Sequence, residues 1–86
     1  MATMLLYGQT TWSDVVCELV VTKGQTGLEV LHEMLRALDI PIGHPCYGVL
    51  NNQILTHLPL NMHCAIPFDM VTIVPAFELE YFMRGR

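Results

Sequence analysis

Thr26-Gly27-Leu28-Glu29 has the form of a helix capping box. The threonine hydroxyl can accept from the glutamate amide, and the glutamate carboxylate can reach back to the threonine amide. Leu28, Leu31, Leu35 and Leu38 follow at helical spacing, with Met34 beside them, and form an apolar stripe. Glu29, His32, Glu33 and Arg36 fall on the other side. Asp39-Ile40-Pro41 then ends the segment, because proline denies the α region to the residue before it. The pattern predicts a helix over about 26–38. It is the clearest signal in the chain, and the other elements must be arranged around it.

Those other elements read as strands. Met4-Leu5-Leu6-Tyr7, ended by Gly8, suits a buried strand. From Asp14 to Thr22 the chain alternates: Val15, Cys17, Leu19 and Val21 share one face, while Asp14, Glu18 and Thr22 share the other with Val16 and Val20. Such alternation fits a sheet with one buried face. Tyr47-Gly48-Val49-Leu50 is a third strand, Asn51-Asn52 a turn, Gln53-Ile54-Leu55 a short continuation, and Met70 to Val74 the last strand. The order is strand, strand, helix, strand, short strand, strand. Strands 1 and 2 make a hairpin, and the last strand can lie parallel to strand 1 in the sheet centre. A right-handed crossover then sets the helix on the buried face. This is an α+β roll of the β-grasp type, with a mixed sheet of four to five strands and one main helix.

Composition restricts what such a roll can do. Eighty-six residues make one domain with a modest core. Charged residues are only 14% against 52% hydrophobic, where soluble domains usually carry about 25% charged. A shortage of charge implies exposed apolar surface, which often marks an interface. Net charge is −4, and the four cationic side chains form no basic patch, so nucleic acid is not an expected partner. No apolar run approaches the length of a membrane span. The start, Met1-Ala2-Thr3-Met4, lacks the pattern of a signal peptide. The expectation is a cytoplasmic protein. Three cysteines (Cys17, Cys46 and Cys64) are an odd count without a dense framework and are read as reduced thiols.

Four segments, in order over about residues 4–75, resemble the ThiS/MoaD group of ubiquitin-like proteins. Met4-Leu5-Leu6-Tyr7-Gly8-Gln9 is similar to the group's first strand, and Val20 to Leu31 to its strand–turn–helix segment. Val49-Leu50-Asn51-Asn52-Gln53-Ile54-Leu55 is similar to its hairpin. Phe68-Asp69-Met70-Val71-Thr72-Ile73-Val74-Pro75 is similar to its G-D-x-V-x-I-x-P ending. The resemblance implies a sulfur carrier for molybdopterin or thiamine-type cofactor biosynthesis, whose terminal Gly-Gly is adenylated by a partner enzyme and converted to a thiocarboxylate. Only glycine imposes no steric limit on a tail threading such a channel. Here the chain departs. Eleven residues follow Pro75, ending Arg84-Gly85-Arg86, so carrier activity at Gly85 would require removal of Arg86.

The sequence therefore divides into a ThiS/MoaD-like domain, 1–76, and an extension, 77–86. In the extension Phe77, Leu79, Tyr81 and Met83 alternate with Glu78 and Glu80, and Phe82 breaks the polar side. Period-2 alternation predicts a strand. It either covers the domain's own edge or is offered to a protein partner or a second copy. Phe77, Leu79, Tyr81, Phe82 and Met83 are the candidate partner-binding residues. The function expected is a non-catalytic interaction module or accessory subunit, its partner a protein, a second copy, or an adenylating or cofactor-synthesis enzyme. Carrier chemistry at Gly85 is the alternative.

Other chemistry is sparse. His44-Pro45-Cys46 and His63-Cys64 supply zinc-ligand types, but not at a usual zinc spacing, and are expected to be loop histidines and small buried thiols. Cys46 or Cys64 beside a histidine lacks a recognisable orienting group or oxyanion donor. Cys17 falls on the buried face of strand 2. Trp12, near the first turn, is either an exposed anchor or packed on the sheet edge. No cofactor and no catalysis by this chain alone are expected.

Overall fold

The computed structural model describes residues 2–41 and 43–84. Its strands are β1 (Thr3–Thr10), β2 (Val16–Thr22), β3 (Cys46–Leu50), β4 (Gln53–Ile54) and β5 (Met70–Pro75). Two α-helices accompany them, α1 (Gly27–Ala37) and α2 (Leu79–Arg84), with short 3-10 turns at Leu60–His63 and Ala76–Glu78. The five strands form one mixed sheet in the order β2-β1-β5-β3-β4. β1 and β2 pair antiparallel from Thr3↔Thr22 to Gln9↔Val16. β5 lies parallel to β1 and antiparallel to β3. The hairpin and the central parallel pair are thus as the sequence order predicts.

The helix starts where its capping box predicts. The Thr26 hydroxyl accepts from the Glu29 amide at 3.1 Å, and a Glu29 carboxylate oxygen accepts from the Thr26 amide at 3.1 Å. Gly27 and Leu28 donate their amides to the carbonyls of Leu58 and Thr56. A Cβ on Gly27 would sit 2.8 Å from the Thr56 oxygen, so the close approach of these two segments needs glycine. The C-terminal stop differs from expectation. Asp39 takes a left-handed φ of 59°, Ile40 donates to Leu35 O and Asp39 to Arg36 O. That is a Schellman end, so the helix closes before Pro41 acts.

One face of the sheet carries the core. Met4, Leu6, Val21, Leu50, Val71 and Ile73 point into it and meet Val30, Leu31, Met34 and Leu35 of α1. Leu28, expected in the stripe, is exposed, and Val30 takes its place. Leu28 comes one residue after the N-terminal glycine, and the close seating of Gly27 turns it outward. Cys17 and Leu19 pack at the margin of this core. Asn51 and Asn52, both at positive φ, turn β3 into β4, as a two-residue hairpin of the primed type requires.

The extension is not a strand. Residues 76–78 form a 3-10 turn and Leu79–Arg84 a helix. The last sheet pair is Cys46↔Pro75, and Ala76 donates to Pro45 O, beyond which no neighbouring strand continues. Without a ladder partner, leucine, glutamate, methionine and arginine follow their helical propensity. Leu79, Phe82 and Met83 are half-buried at helical spacing. An exposed Glu80–Arg84 ion pair, one turn apart at 2.7 Å, adds little.

Candidate interaction surface

Strand alternation leaves a second face of the sheet without a long helix over it. Leu5, Tyr7 and Gln9 of β1, Val16, Glu18 and Val20 of β2, Tyr47 and Val49 of β3, and Met70, Thr72 and Val74 of β5 lie on it. Val16, Val20, Tyr47 and Met70 are exposed there, Val20 to 65%. Glu18 is the only charged residue in that set. The face is therefore apolar and nearly uncharged. Val49 and Val74 are the exceptions in burial: both are buried although they belong to this face and not to the core cluster. The short helix α2 contacts β5.

Phe68 adds an aromatic to the margin of this face. It is 66% exposed, its backbone sits at φ 69°, and its ring lies 6.4 Å from that of Tyr7. A left-handed φ is uncommon for a bulky side chain and costs on the order of 1 kcal/mol. The turn is held from both sides. The Phe68 amide donates to Leu5 O at 2.7 Å, and an Asp69 carboxylate oxygen accepts from the Ile66 amide at 3.1 Å.

A different corner gathers Trp12 and the start of the extension. The indole, 51% exposed, stacks on the His44 imidazole with centroids 6.1 Å apart. One side of it is an open cleft of about 260 Å³ lined by Trp12, His44, Pro75, Phe77 and Glu78. The other is a cleft of about 130 Å³ lined by Thr10, Trp12, Ser13, Val15, Leu38 and Ile40. Of the expected partner-binding residues, Phe77 and Tyr81 are 84% and 83% exposed, while Leu79, Phe82 and Met83 turn towards the body. The extension thus does not present the five on one surface. Gly85 lies outside the described residues.

The histidines and cysteines do not converge. His44 Nδ1 lies 3.5 Å from Cys46 Sγ. His63, expected in a loop, is buried in the 3-10 turn, where its Nε2 accepts from the Thr56 amide at 3.3 Å. Cys64, expected to be buried, is exposed because it sits at the left-handed end of that turn. Among the described residues no three metal-ligating side chains come together. Burial pushes the Cys46 thiol up, and does the same to Cys17 against smaller opposing backbone contacts at Gly8 and Cys17. That is the opposite of the shift a thiolate nucleophile requires. No helix among the described residues is long and apolar enough to cross a membrane.

No family model matches the sequence, and no curated protein matches it significantly. The fold does have solved counterparts. A protein designed on the basis of ubiquitin superposes with a TM-score of 0.74 at 13% identity, over 86% of this chain and 89% of that one. The ubiquitin-like domain of Dsk2 from Plasmodium falciparum gives 0.74 at 13% identity, over 87% and 100%. A ubiquitin-like domain from Arabidopsis thaliana gives 0.73 at 10% identity, over 87% and 79%. The chain has the ubiquitin-like β-grasp fold. At these identities the likeness is one of fold.

Proposed function

We propose that this chain is a non-catalytic interaction module of the ThiS/MoaD-like kind that binds a protein partner through the open face of its sheet. The observation that carries the reading is Phe68: a large aromatic, mostly exposed, held at a φ that glycine would adopt without strain. Strain retained at an exposed aromatic beside an apolar, nearly uncharged face fits selection for contact rather than for stability. Val16, Val20, Tyr47 and Met70 supply the apolar area. Tyr81, exposed on α2, extends it, while Leu79, Phe82 and Met83 seat that helix. The ubiquitin-like domains that share this fold are of comparable size.

The test is retention of native partners on immobilised full-length protein. Val20→Asp is expected to abolish retention with an unchanged melting curve. Arg36→Ala, on the exposed side of α1, is expected to leave it intact. Equal retention by all three proteins would overturn the reading. Intact mass from the native source checks the carrier alternative: loss of Arg86, or sulfur in place of a terminal oxygen, would move the chain to carrier chemistry at Gly85.

A further inference from the structure

We propose that the two clefts flanking Trp12 form one docking site for an extended segment of a partner protein that carries a basic side chain beside an aliphatic one. The site shares no residue with the exposed patch of Val16, Val20, Tyr47, Phe68 and Met70, so the two surfaces stand or fall separately.

The larger cleft has the chemistry of a cation site. It is lined by Trp12, Phe77, Pro75, His44 and Glu78. Glu78 is its only acidic group, and no described lysine or arginine lines it. Aromatic faces attract a guanidinium or ammonium. A carboxylate beside them adds a charge-assisted hydrogen bond and repels anions. Glu78 is half-buried and Phe77 is almost fully exposed. The 3-10 turn at Ala76–Glu78 places the two residues there, anchored by the Ala76 amide on Pro45 O at 2.9 Å. The chain as a whole, with eight acidic and four basic side chains, favours a cationic partner.

The smaller cleft is lined mainly by apolar residues. Thr10 is 6% exposed, and its Oγ1 is the one buried side-chain oxygen or nitrogen among the described residues without a hydrogen-bond partner. Buried hydroxyls are normally satisfied, because leaving one unpaired costs stability. Thr10 lines this cleft with Val15, Leu38 and Ile40. A short aliphatic side chain fits such a lining, over a Thr10 hydroxyl that is itself closed off from the cleft. Trp12 is the ridge common to both clefts. An extended segment crossing it puts adjacent side chains on opposite sides, one into each cleft.

The experiment is a titration of isotope-labelled full-length protein with acetylated, amidated Leu-Arg, observed through the Trp12 indole N–H and the amides of Phe77 and Glu78. The control ligand is Leu-citrulline, which keeps the shape and loses the charge. Saturable shifts with Leu-Arg at these three sites are expected. Binding of Leu-citrulline should be at least about threefold weaker, and Glu78→Gln should reduce Leu-Arg to the same level. Val20→Asp should leave the titration unchanged. Equal binding of the two dipeptides, insensitivity to Glu78→Gln, shifts centred on Val20, Tyr47 and Met70, or no saturable shift would each overturn the proposal. The comparison of ligands on the unaltered protein keeps the test valid whatever Glu78→Gln does to folding.

Discussion

The two faces of the sheet are built from the same strands and differ in how far they are buried. On the inner face Leu6, Val71 and Ile73 are fully buried under α1. On the outer face, one residue along each strand, Val20 and Met70 are exposed and Tyr7 and Thr72 are half-buried. Hydropathy does not separate the two sets, since valine and methionine occur in both. What separates them is whether an element returns to cover the face. Among the described residues there is one long helix, and it covers one face of the sheet.

The largest effect expected from this asymmetry is on stability. Ile73→Ala should cost about 3 kcal/mol, through lost transfer energy and the cavity left under α1. Val20→Ala should change stability by no more than about 0.5 kcal/mol. Urea denaturation of both variants checks the contrast. A Val20→Ala cost matching that of Ile73→Ala would mean the outer face is already covered.

Val74 is the point where the contrast is expected to break. It belongs to the outer face by register, opposite Tyr47, yet it is fully buried. Where α2 keeps its contact with β5, Val74→Ala should cost about 2 kcal/mol. If α2 lifts readily, the loss falls to the level of Val20→Ala. Hydrogen exchange at the amides of Leu79 to Arg84 reads the same seating directly: the wild-type protection should disappear in Val74→Ala.

Much of this could be read in the sequence, and the failures have physical reasons. The capping box, the β1–β2 hairpin, the Asn51-Asn52 turn and the central place of β5 depend on local patterning, and all are as expected. The extension's alternation is real, but its context is not that of a strand. Past Pro75 there is no neighbouring strand to pair with. The helical signal lay in Phe82, which breaks the alternation and completes the set Leu79, Phe82, Met83, and in Glu80 and Arg84 one turn apart. The corner site was less legible. Trp12 is a candidate anchor in the sequence, but its companions His44, Phe77 and Glu78 come from two distant segments, and only folding joins them. Nothing in the sequence marks Thr10 as lacking a hydrogen-bond partner.

The smallest effect expected has an unusual sign and bears on the outer face alone. Phe68 sits at φ 69°, where glycine carries no steric penalty and any other side chain does. Phe68→Ala removes the contact with Tyr7 and keeps the strain. Phe68→Gly removes the contact and relieves the strain, at some cost in unfolded-state entropy. The glycine variant should therefore be more stable than the alanine variant by up to about 1 kcal/mol, the reverse of their order in ordinary strand or helix positions. Both should weaken partner retention alike, because each lacks the ring. Separate thermal melts and retention assays on the pair dissociate the two roles of one residue. If alanine proves as stable as glycine, the left-handed backbone at Phe68 is not under strain, and the case for an aromatic kept there for contact loses its support.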